Sequence, residues 1–104
     1  MRVGSKRETG RSGVAAYLVK QVKKAGGKIY KIKFEGVNGG PDYLVSIDQS
    51  LAFVETKSKT GKLSKVQLKL HCDFAENYII INIVRTKEEV DELIERVANA
   101  KFNA

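Results

Sequence analysis

Two strand-length apolar runs, residues 42–47 and 51–57, are separated only by the polar residues Asp48, Gln49 and Ser50. So short a connection joins antiparallel neighbours, because a parallel pair needs a crossover of about a dozen residues or more. A β-hairpin therefore lies at the centre of the chain. Alternation puts Tyr43, Val45, Val54 and Thr56 on one of its faces and Leu44 and Phe53 on the other. Apolar side chains on both faces require cover on both faces, which the flanking segments have to supply.

Those segments read as helices and two further strands. Val14, Leu18, Val22 and Ala25 recur at a spacing near four and end at Gly26-Gly27, which predicts a first helix beginning near residue 13 with Lys20, Lys23 and Lys24 on its other face. Residues 28–34 alternate, Ile29, Lys31 and Lys33 against Tyr30, Ile32 and Phe34, as a half-buried strand does. Gly36, Gly39, Gly40 and Pro41 then break the chain into a loop. Residues 64–76 read as a helix with Val66, Leu70 and Phe74 along its inner stripe, and 78–84 as a well-buried fourth strand. A last helix opens at Thr86, with Val90, Leu93, Ile94 and Val97 facing inward. The expectation is a single α/β domain over 13–100, in the order αβββαβα, with a central mixed sheet flanked by helices. A basic flexible arm (1–12) precedes it and a frayed tail (101–104) follows. Ser64-x-x-Gln67 and Thr86-x-x-Glu89 are reciprocal capping boxes, whereas Ser12 is followed three residues later by Ala15, which cannot complete one.

Charge and composition narrow the function. The 104 residues hold 19 Lys and Arg against 12 Asp and Glu, a net charge of +7, which points to an anionic partner, above all nucleic acid. One Cys and one His exclude an internal disulfide, a thiolate zinc cluster and a multi-histidine metal site, so any metal is held mainly by oxygen. The apolar run 78–84 is far shorter than the ~18 to 20 residues that span a bilayer. The N-terminal segment lacks the apolar core of a secretory signal, so an intracellular chain is expected.

The chemistry concentrates at Asp42 and at Glu55-Thr56-Lys57. Glu55 and Lys57 are two apart on a strand and share a face. If Ile47 pairs with Ala52, Asp42 stands opposite Lys57 and Glu55 becomes its diagonal neighbour, within side-chain reach. Two convergent carboxylates suit a hard divalent cation such as Mg²⁺, with Mn²⁺ as a substitute, and Lys57 can orient a water or stabilise charge on phosphorus. The alternative is structural: Asp42 caps a turn after Pro41, Glu55 pairs with Lys57 or Lys33, and the protein is a non-catalytic basic DNA- or RNA-binding module.

At these residues the chain resembles the PD-(D/E)xK nucleases, which share a restriction-endonuclease-like core, and specifically the VRR-NUC (virus-type replication-repair nuclease) domain. The resemblance spans residues 12 to 97. It is carried by Gly26-Gly27, Gly-Gly-Pro-Asp at 39–42, Val-Glu-Thr-Lys at 54–57 and Gly-Lys-Leu-Ser-x-x-Gln at 61–67. It implies metal-dependent cleavage of DNA, with Asp42 and Glu55 as metal ligands, the Thr56 backbone carbonyl as a third, Lys57 beside the nucleophilic water and Gln67 as the helix glutamine of the site. Small stand-alone members are similar to Holliday-junction resolvases, which implies a homodimer acting on branched DNA such as four-way junctions.

Lys59, Lys62, Lys65 and Lys69, with Arg7 and Arg11 on the arm, are the candidate phosphate contacts, giving affinity that tracks DNA shape and falls with salt. His71 reads as a packing or surface residue, Cys72 as a small buried hydrophobe, and Arg85 and Lys87 as surface charge. Family members place an acidic residue in the first helix where this chain has Ala15, a departure that marks a weakened form and would also explain the incomplete cap at Ser12. Ala15→Glu is accordingly expected to raise Mg²⁺-dependent cleavage in a gel assay, and a rate no higher than that of the parent chain would refute this.

Overall fold

The computed structural model describes residues 10–100, with side chains from residue 13 onward. Its elements are α1 (Gly10–Lys24), β1 (Lys28–Lys31), β2 (Tyr43–Ile47), β3 (Ser50–Thr56), α2 (Lys65–Glu76), β4 (Ile81–Val84) and α3 (Lys87–Asn99), in the expected αβββαβα order. The strands form one mixed sheet, β1-β2-β3-β4, in which β1/β2 and β2/β3 are antiparallel and β3/β4 parallel. Helix α2 is the crossover that the parallel pair requires.

The hairpin is tighter than its polar linker suggests. Ile47 pairs with Ser50, not Ala52, so only Asp48 and Gln49 form the turn, both in the left-handed region at φ 54° and 72°. That is the geometry of a two-residue type I′ turn, whose twist matches the flanking strands. The pairing is thereby displaced by two residues. An even displacement keeps every side chain on its expected face.

One face of the sheet carries the core. Val45, Ile47, Val54 and Val84 pack with Val14, Leu18 and Val22 of α1 and Val90, Leu93 and Val97 of α3, all buried. Tyr17 ties the two helices together, its hydroxyl donating to Asp91 at 2.9 Å while the Lys87 ammonium lies over its ring. Gly27 follows α1 where a Cβ would lie 2.6 Å from the Ser46 carbonyl oxygen, so the Gly-Gly stop lets the helix end pass close to β2. On the opposite face, Phe34, Phe53 and Phe74 meet in tilted and edge-to-face contacts, with ring centroids 5.6 to 6.3 Å apart, and seat α2.

Several sequence expectations are corrected. Helix α1 runs from Gly10, so Ser12 lies inside its first turn and does not cap it; the packed Val14, Leu18 and Val22 stripe supports helix beyond the expected boundary. Ala25 and Cys72 are exposed. The first strand ends at Lys31, although Ile32 still donates its N–H to the Asp42 carbonyl. In α2, Val66 is 51% exposed against expectation, and no residue of this helix is fully buried; Leu70 and Phe74 of the expected stripe are half-buried, as are Gln67 and His71. The fourth strand begins only at Ile81 because α2 consumes the preceding residues in its own termination. Tyr78 donates its N–H to Ala75 and Ile79 to Phe74, the paired bonds of a Schellman motif, with Tyr78 at φ 63° in the position usually held by glycine.

Tyr78 is 96% exposed, so its side chain offsets none of this backbone cost. Tyr78→Gly is expected to stabilise the fold by about 1 kcal/mol. The check is the urea unfolding midpoint, and a lower midpoint than the parent's would contradict the assignment.

Candidate active site

The C-terminal end of β3 delivers Glu55, Thr56 and Lys57 to the top of the sheet, between the loop before β2 and the first turn of α2. Glu55 is 2% exposed, an arrangement that a carboxylate tolerates only with partners. Its Oε2 accepts a hydrogen bond from Gln67 Nε2 at 3.0 Å and lies 3.8 Å from Lys57 Nζ. Lys57 in turn donates to Gln67 Oε1 at 3.0 Å. The three side chains close a triangle, with the glutamine amide presenting its donor to the anion and its acceptor to the cation.

Gln67 is placed by its helix start. The capping box expected from the sequence is complete: Ser64 Oγ accepts from Gln67 N at 3.1 Å, and Gln67 Oε1 accepts from Ser64 N at 2.9 Å. The Gly-Gly-Pro-Asp loop presses on this turn. Gly39 has φ 86°, and a Cβ there would lie 3.0 Å from Gln67 N, so neither the conformation nor the space admits a larger residue.

Asp42 ends that loop, one residue before β2. Extending the observed register sets it across from Glu55, two positions from the expected partner Lys57, because the hairpin turn is shorter than supposed. Its backbone N–H donates to the Val54 carbonyl at 3.0 Å. Its Oδ2 accepts from Thr56 N at 3.2 Å and from Thr56 Oγ1 at 3.1 Å. Thr56, fully buried, thus has its amide and hydroxyl both committed to Asp42. Asp42 is thus bonded to Thr56, while Glu55 contacts Gln67 and Lys57, so the two carboxylates come from neighbouring strands and engage adjacent residues at the end of β3.

The candidate basic residues lie on the segments that follow β3. Lys59 and Lys62 are exposed on the loop after β3, and Lys65 and Lys69 on α2. Lys69 is engaged by Asp73, one turn on, at 3.3 Å, a solvated pair that holds little energy. Arg7 lies outside the described residues, and Arg11 lies in α1 without a described side chain. Ala15 sits half-buried in α1, next to the core residue Val14.

Two residues have more defined places than the sequence suggested. Arg85 donates from Nε and Nη2 to the Gly61 carbonyl at 3.1 and 2.8 Å, fastening the basic loop to the end of β4. Its own N–H donates to the Glu89 carboxylate at 2.6 Å; Thr86 Oγ1 caps α3 as expected, but Glu89 reaches one residue further back than a capping box requires. His71 lies one turn beyond Gln67, and its Nε2 is buried without a hydrogen-bond partner among the described residues. No spacing rule marks either position, since a strand-end arginine and a lone helical histidine are common on surfaces.

The donor chemistry fits a hard cation. The Asp42 and Glu55 carboxylates and the Thr56 carbonyl are oxygen donors, as Mg²⁺ prefers, and the ion would complete its shell with water. Among the described residues no group of three His, Cys, Asp or Glu side chains comes together, so such a site rests on two carboxylates and backbone.

A mixed four-stranded sheet between helices, with these carboxylates and a lysine at one strand end, defines the restriction-endonuclease-like core of the PD-(D/E)xK class. A solved structure described as a VRR_NUC domain superposes with a TM-score of 0.74 at 31% identity, over 82% of this chain and 94% of that one. The chain belongs to the VRR_NUC family, a nuclease-like fold family. No family model matches the sequence, and no curated protein does. No helix among the described residues is long and apolar enough to cross a membrane.

Burial, and secondarily the charge of Lys57, hold the His71 imidazole below its ordinary pKa. The folded state therefore binds the proton more weakly than the unfolded chain, and stability is lost as pH falls through the ordinary histidine range. His71→Gln is expected to flatten the thermal-unfolding profile between about pH 7.5 and 5. An unchanged slope would show that His71 does not titrate as described.

Proposed function

We propose that this protein is a divalent-cation-dependent endodeoxyribonuclease that hydrolyses phosphodiesters in branched DNA such as four-way junctions, working as a homodimer. The observation that carries this reading is the buried Glu55 carboxylate, locked to Lys57 through Gln67 at the end of β3 and beside the Asp42–Thr56 pair. A carboxylate is kept in so dry a place at a cost to stability, which is the pattern expected of a working site.

In this reading Asp42, Glu55 and the Thr56 carbonyl hold Mg²⁺, or Mn²⁺ in its place. The ion would supply a Lewis-acidic charge that polarises the scissile phosphodiester. Lys57, only 17% exposed, has its ammonium fixed 3.8 Å from Glu55, where it can orient the attacking water and offset charge developing on phosphorus. Gln67 keeps Lys57 and Glu55 apart yet hydrogen-bonded. Lys59, Lys62, Lys65 and Lys69 hold the phosphates on either side of the cut, with Arg7 and Arg11 adding further contacts; such contacts position the strand without reading bases. Symmetric cutting of a four-way junction needs two such sites, one from each copy of the chain.

Ala15 in place of an acidic side chain, together with only two carboxylates at the site, favours one second reading, a basic DNA- or RNA-binding module that does not cut. One experiment separates them: four-way junction, flap and linear duplex are incubated with Mg²⁺, Mn²⁺ or EDTA and this chain, its Ala15→Glu form and its Glu55→Ala form. The nuclease reading expects EDTA-sensitive cutting that prefers the junction. Glu55→Ala should slow cutting by at least ~10²-fold, with junction affinity in EDTA retained. Absence of metal-dependent cutting by both the parent and the Ala15→Glu form would leave the binding module. Replacing Lys62 with Ala should weaken all three DNAs alike and lower the salt slope of binding by about 1.

A further inference from the structure

Three partners fix the Gln67 amide, and they fix which end is which. Oε1 receives two donors, Ser64 N at 2.9 Å and Lys57 Nζ at 3.0 Å, while Nε2 faces the Glu55 carboxylate at 3.0 Å. The reversed amide would set an NH₂ against two N–H donors and an oxygen against a carboxylate, losing all three contacts. Of these partners, Lys57 and Glu55 are side chains with their own torsions. Ser64 N alone is main chain, and it is rigidly placed: φ −71° and ψ 166°, with the Ser64 carbonyl accepting from Leu68 N at 2.9 Å and its hydroxyl from Gln67 N at 3.1 Å. Gly39 closes the other side, its Cα so near the Gln67 backbone that a Cβ would lie 3.1 Å from Gln67 Cα.

We propose that Ser64 is a positioning residue of the reaction centre: its backbone N–H holds the Gln67 side-chain amide and its hydroxyl the Gln67 main chain, and through them Ser64 sets the separation between Lys57 and Glu55. A capping box ordinarily stabilises a helix end and nothing more. Here the N3 side chain of the box is also the bridge of the site, so the cap transmits the position of α2 to the reacting groups. The inference rests on the nuclease reading for its consequence, but the locked amide is a property of the fold.

Two substitutions separate the parts of the lock. Ser64→Ala removes the hydroxyl and keeps the N–H, whereas Ser64→Pro removes both, at a φ that proline adopts. Junction cleavage is measured for each, for Ser64→Thr, and for Ser64→Ala in a Gln67→Ala background, all in whichever of the parent and Ala15→Glu forms cuts faster. The expected results are kcat lowered at least ten-fold by Ser64→Pro and less by Ser64→Ala, KM for the junction within two-fold throughout, near-parental kcat for Ser64→Thr, and no further loss from Ser64→Ala once Gln67 is gone. A cap that matters only for helix stability would instead raise KM, since Lys65 and Lys69 ride on α2, and its loss would add to that of Gln67; either result overturns the proposal. If Ser64→Pro does not fold, the comparison of Ser64→Ala with the double variant decides. Side-chain amide exchange of Gln67, followed by NMR without DNA, gives a readout that needs no cleavage: it should quicken at least three-fold in Ser64→Ala, and an unchanged rate refutes the lock. Should no form cut DNA, the nuclease reading fails while this last measurement still judges the position of Gln67.

Discussion

A carboxylate withdrawn from water at the end of a strand must be answered by donors that are equally fixed, and Glu55 meets this requirement with an ammonium and an amide from two different elements. Lys57 comes from the same strand, so its approach follows from the two-residue repeat of β structure. Gln67 comes from α2 and arrives only because that helix starts where the Gly39 loop permits and is capped by Ser64. Moving any of these would leave a buried charge underpaired, at a typical cost of several kcal/mol for such groups. The demands of one side chain thus constrain the hairpin, the glycine loop and the start of α2 together.

The two faces of the sheet divide the work. Between the sheet and α1 and α3 the contacts are dry and aliphatic, and valines and leucines there are buried almost completely. The α2 face rests on three phenylalanines, and beyond them it turns polar toward Gln67, His71 and the end of β3. A helix without a fully buried residue adds little hydrophobic stabilisation of its own. Its position is set instead by the cap, the Schellman turn at Tyr78 and the ring contacts, which are local and directional. Stability on one side and precision on the other is an arrangement that lets a polar centre exist without opening the core.

What could be read from the amino acids follows from whether the signal is local. The buried stripe of α3, that of α1 apart from Ala25, the hairpin, the Ser64 box and the element order all rest on spacing within a few residues, and all stand in the structure. The register did not follow, because Asp48-Gln49 is not one of the glycine-containing pairs that usually mark a two-residue turn, and both residues adopt positive φ without one. The start of β4 was hidden similarly: Tyr78 occupies a left-handed position that sequence patterns assign to glycine, so Tyr78, Ile79 and Ile80 read as strand. The inner face of α2 was misjudged for another reason. Val66 is apolar and Gln67 polar, and a rule that sends apolar residues inward cannot foresee a helix whose inner end serves a carboxylate. Arg85 and its bond to Gly61 join residues 24 apart, beyond any local pattern.

Electrostatics connects these details. A chain of net charge +7 attracts polyanions at long range, but the end of β3 holds Asp42 and Glu55 beside the Lys57 ammonium, so under the proposed function a phosphate arriving there would meet local repulsion. The surrounding lysines can overcome it only if they sit close to the strand end, since exposed charges more than about 10 Å apart are largely screened at moderate salt. This gives the Arg85–Gly61 contact its significance. A loop carrying Lys59 and Lys62 on a free tether would spread its charge through the solvent, whereas the bonds from Arg85 to Gly61 restrain the segment that carries it. The same reasoning applies to α2, whose first turn carries Lys65 and is held by the bonds that orient Gln67. Under the proposed function, attraction of the phosphate backbone and alignment of the reacting groups would therefore depend on the same short stretch of chain, from Lys57 to Gln67.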